Sequence, residues 1–90
     1  MTVTSTPAPV LAAGARVARD LDVRPILARG EEPFAAIMCA IDGLRDDEAL
    51  HLIVPFEPRP LYDVMRERGF AAHTTGDGKT FHVWFYRRAS

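Results

Sequence analysis

The spacing of hydrophobic residues changes along the chain, and these changes predict where strands and helices lie. Residues 20–24 alternate polar and apolar side chains, with Leu21 and Val23 on one face, which is typical of a short strand. Pro25 ends this strand. A helical period starts at Glu31-Glu32-Pro33, where two acids and a proline favour a helix start. The apolar stripe of this helix comprises Phe34, Ile37, Met38, Ile41 and Leu44.

The second half of the chain predicts three strands and a helix. Residues 49–56 are apolar almost throughout, which is typical of a central strand. The Glu-Pro-Arg-Pro sequence that follows breaks the strand and starts a second helix, for which Gly69 is the predicted cap residue. Residues 70–75 and 79–87 are predicted strands, and the Gly76-Asp77-Gly78 sequence between them is a strong tight-turn signal.

The predicted order of elements is β-α-β-α-β-β, which belongs to the α+β class. Short connections and right-handed crossovers place both helices on one face of a mixed four-stranded sheet, as in a two-layer α/β sandwich. The other sheet face has no predicted helix to cover it. Residues 1–17 are rich in Thr, Pro and Ala without a sustained period, so we predict a flexible N-terminal tail before a domain at residues 18–88.

The composition argues against several classes of function. Eleven basic and twelve acidic residues give a net charge of −1, without the positive excess that drives binding to nucleic acid or anionic membranes. No segment is long and apolar enough to span a membrane. A single cysteine forms no internal disulfide, which predicts a cytoplasmic location and excludes a cysteine-built zinc site within one chain. A domain of about 70 residues has a small hydrophobic core. We therefore expect a protein partner or a homodimer to bury further surface.

Three short motifs carry a family resemblance. They are Leu21-Asp22-Val23-Arg24, Glu32-Pro33 and Glu57-Pro58-Arg59-Pro60-Leu61. With the predicted element order, they resemble the TusA/SirA-like sulfur-carrier superfamily, and more closely its uncharacterised branch, the domain of unknown function DUF 2249. The resemblance covers about residues 21–87 and implies the TusA-like fold. It also implies a context among redox or sulfur- and iron-related proteins.

The chain departs from the sulfur carriers at the residue that matters for their chemistry. The carriers begin their first helix with Cys-Pro-x-Pro, and aligning Pro33 with the second proline puts Gly30 at the cysteine position. A helix N-terminus lowers the pKa of a thiol by stabilising the thiolate, whereas Glu31 and Glu32 would oppose a further negative charge there. Persulfide carriage at this position is therefore excluded.

Cys39 is the one remaining thiol and the one candidate catalytic residue. It lies in the middle of the first predicted helix, off the apolar stripe. Its functional interpretation is a displaced sulfur carrier or redox sensor. Its structural interpretation is a small residue at a packing surface, because free cysteine often behaves as a small hydrophobe.

The three histidines, His51, His73 and His82, suggest a metal site. Imidazole is a good ligand for zinc, copper or iron. Against this, no two of them are four residues apart, and no neighbouring carboxylate is evident that would pre-arrange a site. The alternative is scattered surface histidines, and no cofactor is predicted.

The uncovered sheet face is the predicted partner surface. Strand alternation assigns five residues to it, namely His51, Ile53, His82, Trp84 and Tyr86. An exposed apolar and aromatic face marks a contact, which the tail or a second copy would supply if no other partner does. In the alternative parity, Trp84 enters the core and the exposed set is Phe81, Val83 and Phe85.

Arg24 and Arg59 are candidates for binding an anionic ligand. Both lie at junctions on the sheet edge where the loops gather, and Arg59 stands between two prolines at a helix start. Such a position suits a carboxylate or phosphate. The alternative is a salt bridge with Asp22 or Glu57.

The sequence therefore favours a non-catalytic binding or interaction module of unknown specificity on a TusA-like scaffold. No nucleophile–base arrangement and no phosphate-binding glycine loop is evident in the sequence, so the hypothesis that the protein is an enzyme is less favoured. The first alternative is a sulfur-transfer protein that uses Cys39. The second is a metal-binding domain that uses its histidines.

Overall fold

Four strands and four helices make up the computed structural model, which describes residues 6–87. The strands are β1 (Arg16–Asp22), β2 (Glu48–Val54), β3 (Phe70–Gly76) and β4 (Phe81–Arg87). The helices are α1 (Ala8–Ala12), α2 (Arg24–Ala28), α3 (Phe34–Asp42) and α4 (Arg59–Glu67). The α+β class is confirmed. The first five residues of the predicted tail, and residue 88 of the predicted domain, lie outside the described residues.

The strands form one mixed sheet in the order β1-β2-β4-β3. β1 and β2 are parallel, whereas β4 is antiparallel to both of its neighbours. β2 is therefore a central strand, as its continuous apolar sequence predicted. A bulge between Val17 and Arg19 interrupts the register of β1 at the sheet edge.

The main core lies between the sheet and the helices α3 and α4. The strands contribute alternate residues, and Leu50, Leu52 and Phe85 are fully buried there. The helices contribute Ile37, Ile41, Leu61 and Met65 to the same cluster. Since Val83 and Phe85 face the helices, Trp84 faces the other way. The alternative parity, with Phe81, Val83 and Phe85 exposed, is wrong.

The second face of the sheet has a smaller core of its own. Its buried residues are Val10, Ala15, Ala49, Trp84 and Tyr86. The N-terminal segment therefore lies on this face, with Val10 of α1 fully buried against it. The expectation that no helix covers this face is wrong, because α1 is too short to show a hydrophobic period in the sequence. The mobility of residues 1–17 stays a prediction.

Helix α2 was also not predicted, although both of its ends follow simple rules. Asp22 Oδ1 accepts a hydrogen bond from the backbone N–H of Arg24, and Pro25 occupies the first turn, where its missing N–H costs nothing. At the other end, Gly30 has a φ of 75° and donates to Leu27 O, while Glu31 donates to Ile26 O. These two bonds form a Schellman motif.

Two predicted turn signals are confirmed. Gly69 ends α4 with a φ of 89° and donates to the carbonyl of Arg66. In the β3–β4 hairpin, Asp77 Oδ1 accepts from the backbone N–H groups of Lys79 and Thr80, at 2.9 and 2.8 Å. These bonds lower the pKa of the Asp77 carboxyl.

Candidate functional site

A row of polar and aromatic residues crosses all four strands on the second face of the sheet. Asp20 on β1 is paired with His51 on β2, His51 with Trp84 on β4, and Trp84 with His73 on β3. His82 lies two residues before Trp84 and therefore shares this face.

His51 joins two of its neighbours into a hydrogen-bonded triad, Asp20–His51–His82. His51 Nδ1 lies 2.7 Å from Asp20 Oδ1, and His51 Nε2 lies 2.8 Å from His82 Nδ1. The His51 residue is only 3% exposed and is the one buried polar residue among those described. Burying an imidazole is costly unless its nitrogens are hydrogen-bonded, and here both are.

When His51 and His82 are neutral, the Asp20 carboxylate determines which nitrogen of each ring carries the proton. The Asp20 carboxylate only accepts, so His51 Nδ1 carries a proton and donates it. His51 Nε2 then accepts from His82 Nδ1–H. The Nε2 atom of His82 is left with a free lone pair on a half-buried side chain.

Trp84 holds the two imidazoles in place. Its ring stacks on His51 with 4.7 Å between centroids and 10° between planes, and the centroid of His82 lies 6.1 Å away at 26°. The two imidazoles are themselves nearly coplanar, with an angle of 15° between them. Trp84 is 3% exposed, so the stack is anchored in the second core.

The geometry between the imidazoles is that of a hydrogen bond rather than of a shared metal ion. Their centroids are 5.0 Å apart and their facing nitrogens 2.8 Å apart, so the rings meet edge to edge. A metal ion midway between the two facing nitrogens would be much closer to each of them than a metal–nitrogen bond length of about 2.0 Å. His73 lies on the far side of Trp84, with 6.1 Å between ring centroids. Within residues 6–87, no group of three or more His, Cys, Asp or Glu is arranged to hold a metal ion.

The charges around His82 are mixed. Burial lowers the pKa of the His82 imidazole below its ordinary 6.5, and the positive charges of Arg24 and of His51, when His51 is protonated, act in the same direction. The carboxylates of Asp77 and Asp22 oppose this effect. The Asp22 carboxyl has a lowered pKa, chiefly because Arg24 donates hydrogen bonds to it.

The two predicted anion-binding arginines each make an ion pair in the structure. Arg24 forms a two-pronged contact with Asp22, at 2.9 and 2.8 Å. Arg59 Nε donates to Glu57 Oε1 at 3.1 Å, and its side chain is 82% exposed. The alternative prediction for these arginines was a salt bridge with Asp22 or Glu57, and both salt bridges are present. An anionic ligand would therefore compete with a neighbouring carboxylate at both positions.

The five residues of the predicted partner surface lie on the second face but differ in exposure. His51, Trp84 and Tyr86 are buried, and Ile53 and His82 are half-buried. The surface accordingly has an apolar part beneath α1 and a polar margin at His82. Cys39 is exposed on α3, on the opposite side of the sheet.

Sequence reasoning missed Asp20 as the carboxylate that orients His51. The alternation of β1, with Asp22 opposite to Leu21, places Asp20 and Asp22 on one face. This alternation indicates that Asp20 faces the same way as His51. To pair the two residues, one also needs the β1–β2 register, which places Asp20 opposite His51 and which the sequence does not give.

The fold and the site define a class of small two-layer α+β domain, with an Asp–His–His triad centred on a buried histidine on the sheet face opposite the main helices. The family described as Uncharacterized conserved protein (DUF2249) matches residues 20–87, and the chain belongs to this family. The match includes the whole triad, whereas α1 and Ala15 precede it. No curated protein and no solved structure matches the chain.

Across residues 6–87, no helix combines the length and the apolar character needed to cross a bilayer.

Proposed function

We propose that this protein is a non-catalytic binding module whose docking face is the apolar part of the second sheet face, formed by Ala49, Trp84 and Tyr86. The observation that supports this is the fully buried Val10, which α1 inserts into a core separate from the main one. The face therefore accepts an apolar side chain from outside the sheet. The partner is a protein segment of the same chemistry, a short Ala-rich turn with one branched apolar residue.

The segment that covers the face is weakly held. α1 has five residues and no side-chain cap, and Val10 is its one buried residue. A helix this short is not stable on its own, so its position depends on that contact and on those of Ala13 and Ala15 in the same cluster. Burial of one valine is worth about 1.5–3 kcal/mol, which a partner segment with an equivalent residue would match.

We propose that the module is a cytoplasmic accessory protein, a location with which its single cysteine is compatible. The proposed link to the TusA/SirA-like carriers would place the module among redox or sulfur- and iron-related proteins. Sulfur transfer by Cys39 is the weaker proposal, because this thiol lies on the opposite side of the sheet from both the docking face and the triad.

The single tryptophan of the chain makes the docking face directly measurable. We expect Val10→Asp in the full-length protein to shift the fluorescence of Trp84 to longer wavelength, because water reaches the ring when α1 leaves. A synthetic peptide of residues 6–15 should reverse the shift in a saturable way. The matched control is Leu11→Asp, since Leu11 is 60% exposed and its replacement should leave the emission unchanged.

The proposal fails if Val10→Asp keeps a normal circular dichroism spectrum and either the emission does not move or the peptide does not reverse it. Val10→Ala removes less apolar surface and covers the case in which the aspartate variant unfolds. A peptide with its valine replaced by aspartate should have no effect on any of these proteins.

A further inference from the structure

The Asp20–His51–His82 triad is unusual for a purely structural element, because it runs from solvent through a buried ring and back toward the surface. The Asp20 side chain is 71% exposed, the His51 side chain 4% exposed, and His82 half-buried. An apolar residue at position 51 would fill the same place without any need for hydrogen bonds. The triad connects the exposed Asp20 to the half-buried His82 by a continuous path of hydrogen bonds.

This arrangement accepts one proton without breaking. A proton added to Nε2 of His82 leaves the bond from His82 Nδ1 to His51 Nε2 intact. A second proton, on His51 Nε2, would put two N–H groups against each other at 2.8 Å. The pair therefore has two stable states, which differ in whether the outer nitrogen of His82 accepts or donates.

We propose that Asp20, His51 and His82 form a proton relay, and that Nε2 of His82 is the base of a small-molecule site for ligands that carry an acidic O–H, S–H or N–H group. The lone pair is oriented because the other nitrogen of the same ring is held by His51 and the ring is stacked beside Trp84. His82 is the residue that touches the ligand. His51 and Asp20 are positioning residues.

The transfer is balanced without any electron donor or acceptor. The ligand's proton bonds to Nε2 of His82, the proton on His82 Nδ1 moves to Nε2 of His51, and that on His51 Nδ1 moves to Asp20. The ligand keeps the electron pair of its broken bond and becomes an anion. Asp20 holds this proton in a hydrogen bond to the now unprotonated Nδ1 of His51, and the protons return along the same path when the ligand leaves.

The surroundings of His82 keep its imidazole neutral, as a base must be before it accepts a proton. The lowered pKa, caused first by burial, keeps the ring unprotonated at neutral pH. The positive charge of Arg24 acts on the ring and would attract the ligand anion, although Arg24 is paired with Asp22. The charged and titratable groups that act on the ring come from β1, β2, α2 and the hairpin, and are Asp22, His51, Arg24 and Asp77.

The tautomers of the histidines test the relay in the ligand-free full chain. In nitrogen-detected NMR of the imidazoles at neutral pH, we expect His51 and His82 to carry their protons on Nδ1. Asp20→Asn should change the His51 signals and shift the midpoint of the His82 titration, and should leave His73, across Trp84, unchanged. The relay is refuted if both rings carry the proton on Nε2, or if Asp20→Asn leaves the His82 titration where it was.

The activated ester 4-nitrophenyl acetate is a chemical probe of the His82 base and does not stand for a natural substrate, since the proposed function is non-catalytic. His82 would take a proton from the attacking water as the new C–O bond forms and 4-nitrophenolate leaves. We expect His82→Gln to abolish the protein-dependent rate and Asp20→Asn to lower it about tenfold, with a shifted pH profile. His73→Gln is the matched control and should retain the full rate.

Equal losses in His82→Gln and His73→Gln would overturn the site, as would a pH profile that Asp20→Asn does not move. Because Asp20 is exposed, this variant keeps the fold and decides the question even if His82→Gln unfolds. Neither outcome depends on Val10 or on the docking face, so this inference and the proposed function fail separately.

Discussion

Phe81 lies directly opposite Gly76 in the β3–β4 pair, and its ring fills the space that a side chain at residue 76 would need. A Cβ atom on Gly76 would lie 2.4 Å from Cδ2 and 3.1 Å from Cγ of Phe81. These atoms are close to the backbone end of the side chain, so the ring has little freedom to move away. The pair therefore fixes the register of the hairpin next to its turn.

We expect Gly76→Ala to destabilise the protein by about 1–3 kcal/mol, because the added methyl group overpacks the hairpin. Urea denaturation followed by circular dichroism gives the free energy of unfolding. Gly43→Ala is the control, since a Cβ at that position meets its nearest atoms at 3.7 and 3.8 Å. That variant should lose nothing and gain about 0.4–1 kcal/mol from the less flexible unfolded chain. Equal stability of both variants would contradict the packing argument.

Acid should destabilise the fold through His82. The folded-state pKa lies below the unfolded value of 6.5, chiefly because of burial, so the unfolded chain binds the proton more readily. The free energy of unfolding is therefore undiminished above pH 6.5 and falls as the pH drops from there through the folded-state pKa. Urea titrations at a series of pH values measure this slope. His82→Gln should flatten it and His73→Gln should not. An equal slope in the wild type and His82→Gln would show that other groups dominate.

Tyr62 should make the fold sensitive to alkali. Burial is the main cause that raises the pKa of its phenol above 10.0. The folded state thus holds this proton more tightly, and its stabilising effect is complete below pH 10 and is lost as the pH rises through the folded-state pKa. Ultraviolet absorbance of the phenolate gives the titration midpoint.

Tyr62→Phe should remove this alkaline dependence and cost about 0.5–1.5 kcal/mol at neutral pH, because the hydroxyl bonds to Thr74 Oγ1 at 2.5 Å and to Glu57 Oε2 at 3.3 Å. Thr74→Val is the companion variant. Its loss of the hydroxyl partner should raise the Tyr62 pKa further, since the bond to Thr74 lowers it. A midpoint that falls in Thr74→Val would refute this assignment.

Gly30→Ala should cost about 1–2 kcal/mol, entirely from the backbone. Nothing lies within 4 Å of a Cβ at this position, but φ is 75°, where a side chain is strained. Thermal unfolding monitored by circular dichroism would show the loss, with Gly43→Ala, at a φ of −86°, as the control. If Gly30→Ala melts with the wild type, the Schellman motif contributes nothing to stability.

Strong local patterns in the sequence predict most of the fold. The alternation of β4 places Trp84 opposite Phe85, and the apolar β2 is central, as the structure has it. The missed helices have physical causes. α1 has only five residues. The strand predicted to run to Arg24 and end at Pro25 is wrong at that end, because β1 stops at Asp22 and Pro25 lies in the first turn of α2. Neither helix is long enough for a helical period to show.

The site was less accessible to prediction than the fold. The two histidines were noticed separately and Asp20 was not. The contact of His51 with His82 depends on the β2–β4 register, and that of His51 with Asp20 on the β1–β2 register. Both registers join strands about 30 residues apart. They are set by packing of the whole sheet, which no local pattern encodes.

The backbone conformation at Gly30 limits which residues this position can accept. The glycine that ends α2 occupies the position where the resemblance to sulfur carriers would place their thiol, and it does so in a left-handed conformation. A single codon change to cysteine would therefore introduce strain before it introduced reactivity. A reactive thiol at this junction would therefore require the loop to be rebuilt along with the residue, and a single substitution would not be enough.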